Sequence, residues 1–128
     1  MIVLDASAAL EIVLRTPAGL LIEARVFQPG ETLHAPCLID VEVAQVLRRL
    51  AAGGADADAC AAALDVWLSF PVHRYPHDTL LLRAWELRAN LTAYDGVYIA
   101  LAEWLDAPLV THDQKMSTGV HKARVEVM

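Results

Sequence analysis

Five short strand-like segments set between longer helical stretches constrain this fold more than any other feature. They fall at residues 1–5 (Met1-Ile-Val-Leu-Asp5), 32–35, 72–75, 108–111 and 124–128. A short apolar run without alternation suits a strand buried on both faces, as in parallel sheets. After the first run, Ser7 is placed to cap a helix from Ala8 to Leu14. Pro17 then sits in the first turn of a second helix, whose apolar stripe is Leu20, Leu21, Ala24 and Phe27. A long helix is predicted from Pro36 to about Leu50, with Val43, Leu47 and Leu50 on one face. Asp56 or Asp58 caps an Ala-rich helix through Trp67, Asp78 opens a helix through Ala89 along Leu81, Trp85 and Arg88, and Thr92 opens the last, reaching Leu105. Trp67, Trp85 and Trp104 fall at apolar spacing and read as core. Alternating strands and helices predict an α/β fold with a mainly parallel sheet of about five strands and helices on both faces. With no repeat and no linker, residues 1–128 read as one domain.

In such sheets ligands bind beyond the carboxyl ends of the strands, near the point where strand order reverses. Asp5 closes the first strand, and Thr111-His112-Asp113 closes the fourth. Each candidate acid also has a plain structural reading. Asp5 suits a turn or a helix cap. Glu42 lies early on the long helix, with Gln45 and Val46 at the i+3 and i+4 positions, so no helical ion pair accounts for it. Asp95 stands three residues after Thr92, a capping-box spacing with Asp in place of Glu. Its helical line continues through the apolar Ile99 and Ala102. Asp113 suits the start of a turn. Taken together, Asp5, Glu42, Asp95 and Asp113 form a set of oxygen ligands suited to a hard divalent cation such as Mg²⁺. Such an ion activates water and stabilises charge on a phosphate.

Charge and hydropathy exclude several classes. Sixteen acids against ten bases give a formal charge of −6, which argues against a generic nucleic-acid binder. The hydrophobic share of 56% argues against disorder. No stretch longer than eight residues lacks Asp, Glu, Lys and Arg, far short of a membrane span. The start of the chain has no basic leader, and Cys37 and Cys60 have no CxxC spacing, so a reduced cytoplasmic protein is expected.

Four blocks carry a family resemblance. They are Leu-Asp-Ala-Ser-Ala at 4–8, Ala-Pro-x-Leu-Ile-Asp-Val-Glu-Val at 35–43, Leu-Thr-Ala-Tyr-Asp-x-x-Tyr-Ile-Ala-Leu-Ala-Glu at 91–103, and Ala-Pro-Leu-Val-Thr-x-Asp at 107–113. In order and spacing the chain resembles the PIN domain, and more narrowly the VapC toxins of bacterial toxin–antitoxin pairs. The resemblance implies a three-layer α/β fold and an endoribonuclease dependent on Mg²⁺ or Mn²⁺. It maps the family acids, catalytic and metal-holding, onto Asp5, Glu42, Asp95 and Asp113. Ser7 and Thr111 match supporting hydroxyls, and Asp40 matches a recurrent acid near Glu42. Related sequences often carry a further acid after the last one, where this chain has Lys115-Met116-Ser117. Lys115 is therefore expected to meet phosphate. The resemblance also implies an RNA substrate, a homodimer and a VapB-type antitoxin.

Setting the four acids aside leaves a charge of −2, so RNA must be held by local cations. Eight of the ten bases are Arg, which grips phosphate in bidentate fashion and stacks on bases. Arg15, Arg48, Arg49, Arg83 and Arg88 are the candidates. Of the five histidines, His112 beside Asp113 is the one closest to the chemistry. Two other readings stand beside the nuclease. A haloacid-dehalogenase-like phosphatase would need a second Asp where Ser7 stands. A catalytically silent PIN-like binding module would keep the fold without turnover.

Overall fold

The structure, a computed structural model, describes all of residues 1–128. Its chain order is β1 (Ile2–Leu4), α1 (Ala6–Val13), α2 (Pro17–Val26), β2 (Leu33–Pro36), α3 (Ile39–Ala52), α4 (Ala57–Leu68), β3 (Val72–Tyr75), α5 (Leu81–Glu86), α6 (Ala93–Leu105), β4 (Leu109–Thr111) and β5 (Val125–Val127). One-turn 3₁₀ helices precede α5 (Asp78–Leu80) and follow β4 (Gln114–Ser117).

All strand pairs are parallel, in the order β3-β2-β1-β4-β5. The chain therefore winds outward from β1 to β3, then crosses back to β4 on the other side of β1. Helices α1 to α4 pack together and α5 packs with α6, the two groups that right-handed crossovers place on opposite faces of a sheet in this order. The order reverses between β1 and β4, where Val3 pairs with Leu109 and Leu4 with Val110. The strands are buried on both faces at β1 and β4, as their apolar runs predict. Thirty-three buried apolar residues form one continuous core. No helix is long and apolar enough to cross a membrane. Both cysteines are free thiols.

The local corrections have physical causes. Pro36 belongs to β2, where its missing N–H is harmless at a strand end, so α3 begins three residues later than predicted. Its buried line is Ile39-Val43-Leu47, and Leu50 lies outside it. In α2 the buried face is Gly19-Ile22-Val26, and Leu20, Leu21, Ala24 and Phe27 face solvent. A Cβ on Gly19 would lie 1.9 Å from the Glu11 carbonyl oxygen, so the helix must turn this bare face to α1. The helix predicted over 78–89 breaks into a 3₁₀ turn and a six-residue α5, burying Leu80, Ala84 and Leu87 while Leu81 and Trp85 point outward. Only Trp67 of the three tryptophans lies in the core. Trp85 and Trp104 are each 66% exposed.

Candidate active site

Four elements meet beyond the carboxyl ends of β1 and β4. Asp5 follows β1 directly, and its N–H still donates to the Val110 carbonyl at 3.0 Å, which fixes its backbone to β4. Its Oδ2 accepts from Ser7 Oγ at 2.5 Å and from Thr111 Oγ1 at 2.8 Å. Ser7 is not the predicted cap. Asp5 holds the cap position, and Ser7 sits in the first turn of α1 with its hydroxyl turned back on the carboxylate. The loop after β4 completes the frame. The His112 N–H donates to Ser7 Oγ at 2.9 Å, and the Asp113 N–H donates to Thr111 Oγ1 at 3.0 Å.

Glu42 comes from the first turn of α3 and Asp95 from the first turn of α6, on opposite faces of the sheet. The buried Tyr98, one turn after Asp95, links α6 to α3 by donating its hydroxyl to Glu42 Oε1 at 2.7 Å. Thr92 caps α6 by accepting from the Asp95 N–H at 3.1 Å, which fixes the start of the helix. Asp113 caps the 3₁₀ turn after β4, its Oδ1 accepting from the Lys115 N–H at 2.9 Å. Asp5, Glu42, Asp95 and Asp113 all line one pocket of about 720 Å³.

The electrostatics of this pocket are those of crowded like charges. Burial, reinforced by the charges of Asp5 and Asp95, pushes the Glu42 carboxyl up to about 7, against the opposing Tyr98 hydrogen bond. Burial also raises Asp5, held back by the Ser7 and Thr111 hydroxyls. Asp95 is raised by burial and then by Asp5 and Asp113, with the Thr92 hydroxyl and then Lys115 pulling the other way. None of the four acids has an ion-pair partner. As placed, no three His, Cys, Asp or Glu side chains stand close enough to hold a metal ion. The donor chemistry nevertheless fits one. The set is entirely carboxylate oxygen, it lies within one pocket, and its members destabilise one another's charge. A hard divalent cation relieves that repulsion.

The other predicted residues divide sharply. Ser7 and Thr111 touch Asp5, whereas Asp40 faces away from the pocket. Its carboxylate takes Arg74 at 2.7 and 3.0 Å and the Trp67 indole N–H at 2.8 Å, tying α3 to β3 and α4. Arg49 lines the acid pocket, and Lys115 lines a neighbouring groove with Gln114 and Thr118. Arg15 pairs with Glu23, Arg83 with Glu86 and Glu103, Arg48 bonds Gln45, and Arg88 lies over the Trp85 ring, all outside the pocket. His112 turns its Nδ1 to the Met128 carbonyl, sets its Nε2 4.0 Å from Glu11 Oε1 and does not line the pocket. Sequence reasoning missed Tyr98, Gln45 and Tyr94. Helical spacing was the available signal: Tyr98 is i+3 from Asp95, Gln45 is i+3 from Glu42, and a buried Tyr hydroxyl needs a polar partner.

Comparison with known proteins agrees with this arrangement. The PIN domain family matches residues 2–119. Ribonuclease VapC9 of Mycobacterium tuberculosis is 45% identical over 133 aligned residues, covering 100% of this chain and 98% of that protein. Among solved structures, PAE2754 from Pyrobaculum aerophilum superposes with a TM-score of 0.72 at 28% identity, covering 97% of this chain and 81% of the other. VapBC2 from Rickettsia felis, solved with a DNA fragment from its promoter, gives 0.73 at 16% identity over 98% of each chain, a likeness of fold.

Proposed function

The chain belongs to the PIN domain family, alongside its VapC members, and on that premise we propose that it is a metal-dependent endoribonuclease, the toxin of a type II toxin–antitoxin pair acting in the cytoplasm. The observation that carries this reading is the convergence of four unpaired carboxylates, from β1, α3, α6 and the loop after β4, on one pocket at the switch point of the sheet.

In this reading Asp5, Asp95 and Asp113 hold Mg²⁺ or Mn²⁺, with Glu42 beside them. When bound, the cation supplies charge stabilisation at the phosphate and acidifies a water. The protein's own groups do the rest. Ser7 and Thr111 fix one oxygen of Asp5 and so its rotamer. Tyr98 fixes Oε1 of Glu42, leaving Oε2 to orient the attacking water and take its proton. A carboxyl titrating near neutral pH is suited to that task. Arg49 and Lys115, neither engaged by a carboxylate, hold phosphates to either side. A VapB-type antitoxin is the partner, as the VapC naming of the relatives suggests. Leu82, at 83% exposure, with Trp85 and Trp104, offers apolar surface for a homodimer.

The test is RNA cleavage in Mg²⁺, Mn²⁺ and EDTA by the wild type and by Asp5→Ala, Glu42→Ala and Asp95→Ala. Cation-dependent cleavage lost in all three variants is expected. Cleavage in EDTA, or full activity in Asp5→Ala, overturns the mechanism.

A further inference from the structure

On each helix that delivers an acid from a face of the sheet, the residue before that acid is apolar and exposed. Val41 precedes Glu42 and is 72% exposed, and Tyr94 precedes Asp95 and is 64% exposed. Both line the acid pocket. Nothing within the protein uses either side chain. Tyr94 takes part in none of the molecule's aromatic contacts, and Val41 lies outside the core and the side chains packed against it. Leu38 and Val46, packed against the core, extend the apolar wall on the α3 side. Arg49, two turns after Glu42 on α3, adds the pocket's one cationic side chain.

An aromatic face, an aliphatic wall, a cation and a carboxylate cluster in one pocket match the parts of a nucleotide. Its base has an apolar π-face, and its phosphate is an anion. The pocket's size lies within the range of about 300–1,000 Å³ that encloses small organic groups. We propose that Tyr94 is a stacking platform that holds one unpaired nucleobase against the α3 wall next to the scissile phosphate. The enzyme would then require an unstacked base at the cleavage site as well as a single strand. This inference rests on the ribonuclease reading above and assigns a subsite within that pocket. Stacking on an aromatic ring is tolerant of base identity, so the slot selects for an unstacked base over a particular letter. A neighbouring protein segment is the other occupant of such an apolar face, but Arg49 beside it is placed to meet the phosphate of a nucleotide.

The experiment uses a single-stranded RNA dodecamer carrying 2-aminopurine, whose emission is quenched on stacking. The full-length protein carries Asp113→Asn to suppress cleavage, with Mg²⁺ present. Wild-type Tyr94 and Tyr94→Phe are expected to quench the probe and bind it alike. Tyr94→Ala is expected to lose the quench and bind about 5- to 100-fold more weakly. Circular dichroism checks that each variant is folded. Equal quenching by Tyr94→Ala, or no quenching by any form, overturns the proposal. So does a Tyr94→Ala protein that binds RNA normally but no longer binds the antitoxin, since the face then belongs to that partner. Loss of the ribonuclease reading looks different: the protein with Asp113 intact cuts no RNA in any cation while the probe is still quenched.

Discussion

Asp40 and Glu42 stand two residues apart on α3 and meet opposite electrostatic fates. Both are partly buried, and burial pushes each carboxyl upward. At Asp40 the Arg74 guanidinium and the Trp67 indole N–H outweigh burial and bring it below the ordinary carboxylate range. At Glu42 the one hydrogen bond comes from a neutral tyrosine, the neighbouring charges are Asp5 and Asp95, and the group rises to about 7. Two residues of helix amount to a rotation of about 200°, so the two side chains serve different neighbourhoods. A compensated carboxylate contributes to stability, whereas an uncompensated one raises the energy of the metal-free fold and is available for chemistry.

The largest expected effect separates the two faces by activity. Glu42→Gln keeps the shape and an acceptor for Tyr98 but cannot take a proton. It should lower kcat for RNA cleavage by about 10²- to 10⁴-fold. Asp40→Asn should stay within about threefold of wild type per folded molecule, since Asp40 does not reach the pocket. Single-turnover cleavage measures both. A comparable loss in Asp40→Asn would erase the distinction between the faces.

Stability should invert the ranking. Asp40→Ala leaves Arg74 and the Trp67 N–H without their shared partner. The pair is about one-third exposed, so the expected cost is discounted to about 2 kcal/mol in urea unfolding. Glu42→Gln in EDTA at pH 8 should stabilise the fold by about 1 kcal/mol, because it removes a charge that burial penalises and that Asp5 and Asp95 repel.

The pH profiles carry opposite signs for the same reason. The folded protein holds a proton on Glu42 up to about pH 7, whereas the unfolded chain releases it near the ordinary value of 4.5. Glu42 therefore makes the stability of metal-free protein fall as pH rises from 4.5 to 7, and its effect is constant above that. Asp40, held low, contributes fully above its ordinary 3.8, and that contribution is lost as pH falls through its lower folded value. Thermal melts in EDTA should show the downward slope between pH 4.5 and 7 flattened in Glu42→Gln. An unchanged slope would mean that Glu42 is not the group responsible.

The sequence shows part of this contrast. Each of the five strands lies where it is predicted, and at β1 and β4, buried on both faces, the apolar run leaves a pattern that does not depend on its neighbours. The helices that shifted were those whose buried side is set by a partner. Gly19 must face α1, whatever Leu20 and Leu21 favour, and α5 is cut short between the buried Leu80 and Leu87, which with Ala84 meet the core. At the site, the acids were legible because they end strands or begin helices. The partners that tune them were not: Tyr98 and Arg74 lie 56 and 34 residues from the acids they contact. The Arg83–Glu103 pair was equally hidden, whereas Glu86, at i+3 from Arg83, was in plain sight. Glu103, which takes Arg83, is 20 residues away on another helix.

The smallest predicted effect extends the comparison from acids to bases. Arg83 is held by Glu103 and Glu86, and its guanidinium is committed to α5 and α6. Lys115 and Arg49 have no carboxylate partner and border the acids. A cation that neutralises a phosphate on a single strand contributes about −0.7 to the slope of log K against log salt. Lys115→Ala and Arg49→Ala should each raise KM by about 3- to 10-fold and flatten the salt slope by about that amount. Arg83→Ala should lower thermal stability and leave the slope of the folded enzyme unchanged. Salt titrations of RNA binding at constant pH decide the matter. If Arg83→Ala flattens the slope and Lys115→Ala does not, RNA runs along α5 and α6 instead of past Asp113, and the ion pairs on that face open when it binds.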